Sequence, residues 1–265
     1  MKEYDFICSL GGNCSVAHNL LYRKLRKFSL PFDWTYFLDS KAIYNLADSF
    51  AIKFSNQLKK ENLKELPKNA MHPDKIQYED MATNIIWPNH FEYKKDANKN
   101  FIDVKSKINR RFQRLLACIN DANKILFIFA TTFELDLQPL LYLYEKLKFL
   151  YPDKEIDIRV LSFNCEQDET IMGADDHITL CCYKRDKNLY DFIITNIEWS
   201  FLDEIKLSKN FKKISNKYAK HKIIEIKKIK RGLEISLIPF SSTLFMIKTY
   251  LFGISFNFSI GRFRD

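Results

Sequence analysis

Cys14 is the residue around which chemistry can be built. It follows Gly11-Gly12-Asn13, and that turn follows the short apolar run YDFICSL at residues 4–10. A strand, a Gly-Gly turn and then a helix would place Cys14 at a helix N-terminus. There, unpaired backbone N–H groups and the helix dipole favour an anion, and a thiolate is such an anion. Cys14 is therefore a candidate nucleophile. The competing reading is a buried core cysteine, since free cysteine is among the most buried residue types. His18 lies four residues on, which puts both side chains on one helix face and would suit a Cys/His pair, or leave His18 structural. Asp33 sits between the large anchors Phe32 and Trp34. A buried carboxylate there needs a partner, and it either caps a turn or orients an imidazole or the cysteine helix. His90 follows the apolar run TNIIW and Pro88, in a segment read as an aromatic loop, and an imidazole titrates near neutrality.

The elements that must position these groups read as follows. Helical spacing predicts helices over 14–26, 39–58, 101–121 and 135–150. Short apolar runs predict strands at 4–10, 83–87, 124–130, 156–163 and 177–183. Residues 59–80 are polar and lysine-rich and read as a surface loop. On the helix over 101–121, Lys105, Lys107, Arg110, Arg111 and Arg114 read as the solvated side opposite Ile108, Phe112, Leu115, Leu116 and Ile119. Strands alternating with helices predict an α/β fold: a three-layer, mostly parallel, Rossmann-like sheet flanked by helices. In such sheets ligands bind beyond the carboxyl ends of the strands, where Cys14 falls.

Composition narrows the classes. The 265 residues are 46% hydrophobic, enough for a sizeable core, and only 6 are glycine, which argues against glycine-rich phosphate loops. Six cysteines form no CxxC pair and no Cys/His group with zinc spacing, so no metal or other cofactor is implied and a reducing, cytoplasmic setting is expected. The net charge of +9 is local: residues 205–231 hold 11 Lys/Arg and one Glu, while residues 1–204 carry about −2. Nucleic acid is therefore not an expected partner. The expected division is an α/β domain over 1–204, carrying the Cys14 site, and a basic then apolar extension over 205–265. A hairpin is predicted about Arg231-Gly232. The run 238–261 is broken by Pro239, Lys248 and Gly253, too often for a spanning helix. Beside a polybasic stretch it fits attachment to an anionic surface, peripheral to the inner membrane, or docking on protein.

Read in order, YDFICSLGGNC, SLPFDW, NHF and INRRFQRLLACINDANKILFIFATT followed by Glu134 resemble the bacterial family DUF1796, labelled as papain-like cysteine peptidases. The pattern covers roughly residues 4–165. The sequence departs from it in two places: Glu92 stands one place beyond the family's aspartate, and Ala130-Thr131 replace an arginine often found at the end of the ILFVR-type strand. The resemblance implies a site of Cys14, His90 and Asp33. His90 would take the thiol proton, Asp33 would orient the imidazole, and N–H groups near Gly12–Ser15 would receive an oxyanion. A rival set, Cys14, His177 and Asn196, follows the Cys–His–Asn order of papain-like proteases, but the parallel sheet argues against that fold. Three functional classes follow. The first is a cysteine hydrolase or acyl-transfer enzyme acting on a small molecule, peptide or glycan. The second is a transferase or accessory protein of bacterial surface-polysaccharide synthesis. The third is a non-catalytic module held at a membrane by its tail.

Overall fold

The computed structural model describes residues 2–68, 73–184 and 197–219, and the strand segments 223–229, 232–238, 243–248 and 257–262. The fold is α/β. Its central sheet holds β2 (Phe6–Gly11), β7 (Lys124–Thr131), β8 (Glu155–Cys165), β10 (Ile178–Lys184) and β9 (Glu169–Gly173), in the order β2-β7-β8-β10-β9. The first four run parallel, and β9 pairs antiparallel with β10 at the edge. The predicted strand runs are apolar almost without interruption because both faces of the sheet are covered. On one face Cys8, Leu10, Phe127, Phe129, Ile156 and Leu180 pack under α2 (Lys41–Ala51), α3 (Ala97–Asp121) and α4 (Gln138–Leu150). On the other, Ile7, Ile128, Leu161 and Phe163 pack with Val16 and Leu20 of α1 (Cys14–Tyr22) and with Trp199, Phe201 and Leu202 of a 3-10 turn at 197–204. Each large side chain buried in this way contributes roughly 1.5–3 kcal/mol.

The sheet is less regular than a Rossmann-like one, and a second, antiparallel sheet was not predicted. It has the order β3-β6-β5-β4, with β3 at Tyr36–Phe37, β4 at Leu63–Glu65, β5 at Lys75–Asp80 and β6 at Ile85–Glu92. The lysine-rich stretch expected to be a loop supplies β4 and β5. Strand β6 passes straight through Pro88. Tyr78 pairs with Trp87 and Ile76 with Phe91, so residues 88–90 lie opposite Gln77 alone. This bulge is where a proline without an N–H can sit in a ladder. His90 therefore lies on a bulged strand rather than in a loop.

The segment after residue 204 begins as part of this body. β11 (Lys206–Leu207) pairs with β1 (Glu3–Tyr4). The helix α5 (Lys209–Ala219) buries Phe211, Ile214 and Tyr218, and both Lys217 Nζ (2.6 Å) and Tyr218 Oη (2.9 Å) reach Asp121 Oδ2. β12 (Ile223–Ile229) and β13 (Gly232–Ile238) pair antiparallel, on either side of the hairpin turn predicted about Arg231-Gly232, of which residues 230–231 lie outside the described residues. Strands β14 (Thr243–Lys248) and β15 (Asn257–Arg262) form another antiparallel pair, and the rest of 238–261 lies outside the described residues. No helix among the described residues is long and apolar enough to cross a membrane.

Candidate functional site

The turn that delivers Cys14 is tightly specified. Gly11 and Gly12 have φ of +85° and +74°. A Cβ on Gly11 would meet Phe32 O at 2.5 Å, and one on Gly12 would meet Ala130 O at 2.2 Å. Only glycine fits either position. The first glycine lets the 29–35 loop close over the end of β2, and the second seats the turn on β7. Asn13 then caps α1, its Oδ1 accepting from Ser15 N at 2.9 Å. Cys14 is the first helical residue, just beyond the carboxyl end of β2.

All six cysteines are free; Cys8, Cys118, Cys165, Cys181 and Cys182 are buried and Cys14 is half-exposed. Tyr36 Oη donates to Cys14 Sγ at 3.7 Å. His18, half-exposed one turn further along α1, packs edge-on against Trp34, with ring centroids 4.9 Å apart. Cys14, His18, Trp34 and Tyr36 thus form one accessible patch where α1 meets the loop leading into β3. Tyr36 and Trp34 were not anticipated as site residues. The SLPFDW segment marked the neighbourhood, but a strand of two residues gives no periodic signal.

The electrostatics differ from those of a preformed thiolate. Burial pushes the Cys14 thiol above the ordinary thiol range, and the Tyr36 hydroxyl and the helix N-terminal amide of Cys14 only partly offset it. The helix N-terminus was expected to lower it; desolvation of the charged form outweighs that pull. Burial, and then the charge of Arg26, hold His18 below the ordinary imidazole value.

The expected triad is not hydrogen-bonded. Among the described residues no hydrogen bond or ion pair joins Cys14, His90 and Asp33. Asp33 is fully buried; Arg26 Nη2 lies 2.6 Å from its Oδ2, and that oxygen also accepts from Leu30 N at 2.7 Å. Burial pushes its carboxyl up, and Arg26, the Leu30 amide and Arg111 draw it back down. His90 packs beside Trp87, ring centroids 5.5 Å apart, with its Nε2 sealed from solvent and unpartnered. Burial, followed by Arg111, Lys107 and Lys75, drives its pKa well down. The arginine side of α3 is likewise not solvated throughout. Arg111 and Arg114 are buried; burial lowers the Arg111 pKa to about 10 despite Asp33, and Arg114 donates to Ser29 O at 3.1 Å and lies over Phe28.

The rival partner His177 lies at the opposite edge of the sheet. It precedes Ile178, which aligns through Ile158 and Phe127 with Cys8. Four residues at about 3.3 Å separate Cys8 from Gly12, and three strand spacings of about 4.8 Å separate β10 from β2. Together these put His177 about 20 Å from the cysteine turn. Its Nδ1 instead lies 2.7 Å from Asp157 Oδ1. Asn196 lies outside the described residues. Among the described residues no three His, Cys, Asp or Glu side chains are grouped to hold a metal ion.

An uncharacterized protein of Acanthamoeba polyphaga mimivirus is 26% identical over 148 residues, which cover 48% of this chain and 62% of that protein's length. No solved structure matches the chain. Residues 5–168 match the family model described as "Putative papain-like cysteine peptidase (DUF1796)", and this match, over more than half of the sequence, makes the chain a member of that family.

Proposed function

We propose that the protein is a cysteine-dependent hydrolase or acyl-transfer enzyme in which Cys14 is the nucleophile and His18 its base. The observation that carries this reading is the setting of Cys14. It is the half-exposed cysteine of the six, at the first turn of α1 beyond a strand's carboxyl end, with a tyrosine hydroxyl on its sulfur. Residues at i and i+4 of a helix have Cβ atoms about 5–6 Å apart, so a water or a small rotamer change connects His18 to the thiol. His18 is held toward its neutral form and can accept the thiol proton. The sulfur then forms a bond to the substrate's acyl carbon, and the carbonyl electron pair moves onto oxygen. First-turn N–H groups of α1 and the Tyr36 hydroxyl are the donors for that oxyanion. Ser15 N is already engaged by Asn13. The proton on His18 passes to the leaving group as the acyl–leaving-group bond breaks, and water or an acceptor releases the acyl group from sulfur. In this reading His90 and Asp33 form the layer beneath the site: Asp33 and Arg26 fix the loop that presents Trp34 and Tyr36.

The test is alkylation of the full chain by iodoacetamide, mapped by peptide, with hydrolysis of p-nitrophenyl acetate alongside. Cys14 is expected to react selectively, with a rate that climbs above the ordinary thiol pKa because burial raises it. Tyr36→Phe removes a hydrogen bond that favours the thiolate and moves the profile to higher pH. His18→Gln slows hydrolysis at neutral pH more than it slows alkylation. A Cys14→Ser variant that hydrolyses the ester as fast as the parent would sink the proposal, as would equal labelling of the buried cysteines.

A further inference from the structure

A second constellation lies at the amino edge of the parallel strands, on the sheet face that carries α1. Asp157, near the start of β8, is buried and accepts three contacts. Tyr4 Oη donates to Oδ2 at 2.6 Å, Lys2 Nζ lies 3.3 Å from the same oxygen, and His177 Nδ1 lies 2.7 Å from Oδ1. The Tyr144 ring stacks on His177 at 5.7 Å with an 18° interplanar angle. The backbone on both sides is fixed as well, with His177 N donating to Ala174 O and Ile158 N to His177 O. The imidazole is thus held by an anion, a ring and a strand, yet its side chain keeps 32% of its exposure. With Nδ1 turned to Asp157, Nε2 is the ring's remaining hydrogen-bonding atom.

His177 lines a cavity of about 380 Å³ together with Arg159 and Thr179. Thr179 pairs with Arg159 across β8 and β10, so the two stand side by side. The Arg159 guanidinium lies 3.9 Å over the Phe201 ring and donates weakly to Cys181 Sγ at 3.7 Å, while its Nε is sealed and unpartnered. Among the described residues no carboxylate is within ion-pair distance of it. A half-buried cation that lacks a counter-ion carries an uncompensated desolvation cost, which a bound anion would relieve. Leu126, Met172 and Ile205 supply apolar lining, and Asp176 and Glu204 also line the cavity, neither within ion-pair distance of Arg159.

We infer that this amino-edge cavity is a binding site for a small molecule with one carboxylate or phosphate group and an apolar body, the oxyanion held by Arg159 with Lys2 and His177, and the body lying against Phe201. The site is independent of Cys14 and of the function proposed for it. Two features argue for a ligand rather than for a structural cluster. Among the described residues the cation has no carboxylate at ion-pair distance, and the imidazole is held in place by Asp157 and Tyr144 while it still faces a cavity.

The test uses the full chain with phenyl phosphate, benzoate and benzyl alcohol as probes. Binding is followed by calorimetry and by the imidazole resonance of His177 in histidine-labelled protein. Phenyl phosphate or benzoate is expected to bind and shift His177, and benzyl alcohol to bind at least tenfold more weakly. Preference between the two anions identifies the natural group as phosphoryl or carboxylate. Arg159→Gln is expected to weaken the anion at least tenfold, and the exposed Lys2→Gln, which serves if the arginine variant does not fold, about threefold. Cys14→Ser is expected to bind as the parent does. Equal affinity for all three probes, no binding at 10 mM, a His177 resonance that does not move, or an anion affinity unchanged in the folded variants would each overturn the inference.

Discussion

Replacing Gly12 with alanine tests whether the turn before Cys14 is dictated by β7. Two costs add in the native state. The residue sits at φ +74°, where a side chain costs roughly 1–2 kcal/mol. The new Cβ would also lie 2.2 Å from Ala130 O, a backbone atom near the carboxyl end of β7. To reach ordinary contact, the turn or β7 must move by about 1 Å, and strain of that kind costs roughly 1–3 kcal/mol. The sum is about 2–5 kcal/mol, which for a domain of this size lowers Tm by roughly 4–20 °C. Alanine also restricts the unfolded chain, which returns about 0.4–1 kcal/mol at compatible positions, but the positive φ makes this an incompatible one. Thermal melting of the parent and Gly12→Ala by circular dichroism, at matched concentration, measures the difference. A variant that melts within about 2 °C of the parent would refute the claim that the backbone of β7 fixes the turn. If instead the variant is destabilised and Cys14 alkylation changes in rate, the same contact also sets the thiol's exposure.

Two further predictions concern buried carboxylates. Asp33→Asn leaves Arg26 buried without its partner and is expected to cost about 3–5 kcal/mol in urea unfolding, and an unchanged midpoint would show that the pair is not stabilising. Asp157 is held below the ordinary carboxylate value: burial pushes it up, but bonds from Tyr4 and His177 and the charge of Lys2 more than offset that. The unfolded chain therefore binds this proton more tightly, so the group's stabilisation is present above the unfolded value near pH 4 and is lost as pH falls from about 5 through the folded value. Thermal melts from pH 7 to pH 3 should show a smaller acid decline in Asp157→Asn, and an identical decline would show that the carboxylate is not shifted.

The parts of the fold that were legible in the sequence rest on local signals. Continuous apolar runs located β2, β7, β8 and β10, because strands buried on both faces cannot alternate. The Gly-Gly pair located the turn, because positive φ is a local requirement. The parts that were not legible depend on partners remote in sequence. Arg111 and Arg114 lie on the charged side of a strongly amphipathic helix, and nothing near them shows that Asp33, Ser29 O and Phe28 wait to receive them. Strands β4 and β5 carry polar sequences because β4 is largely exposed at the sheet edge and β5 beside it is only half-buried. His90 looked like a loop residue because Pro88 precedes it. The bulge opposite Gln77 lets the strand continue, and a bulge is specified by pairing rather than by composition. His18 was visible at helical spacing from Cys14, but its standing came from exposure and from Trp34, which only the tertiary structure supplies.

The distribution of charge under the site explains why a neutral thiol and a neutral imidazole belong together here. Asp33 of the 29–35 loop is ion-paired to Arg26 and also lies in the field of the buried Arg111. After burial, Arg26 disfavours protonation of His18, and Arg111 with Lys107 and Lys75 disfavours that of His90. A resting thiolate–imidazolium pair would place another cation in that field, whereas a thiol beside a neutral base adds none. Catalysis in the proposed scheme then transfers the proton only as negative charge develops on the substrate oxygen. At that stage the imidazolium has a counter-charge and the buried arginines oppose it less. The same layer ties Asp33 to the reaction without contact: removing its charge would leave Arg26 unopposed, making His18 harder to protonate. If Asp33→Gln folds, its ester hydrolysis should therefore fall with the His18 titration displaced to lower pH, and a displacement to higher pH would contradict this electrostatic account.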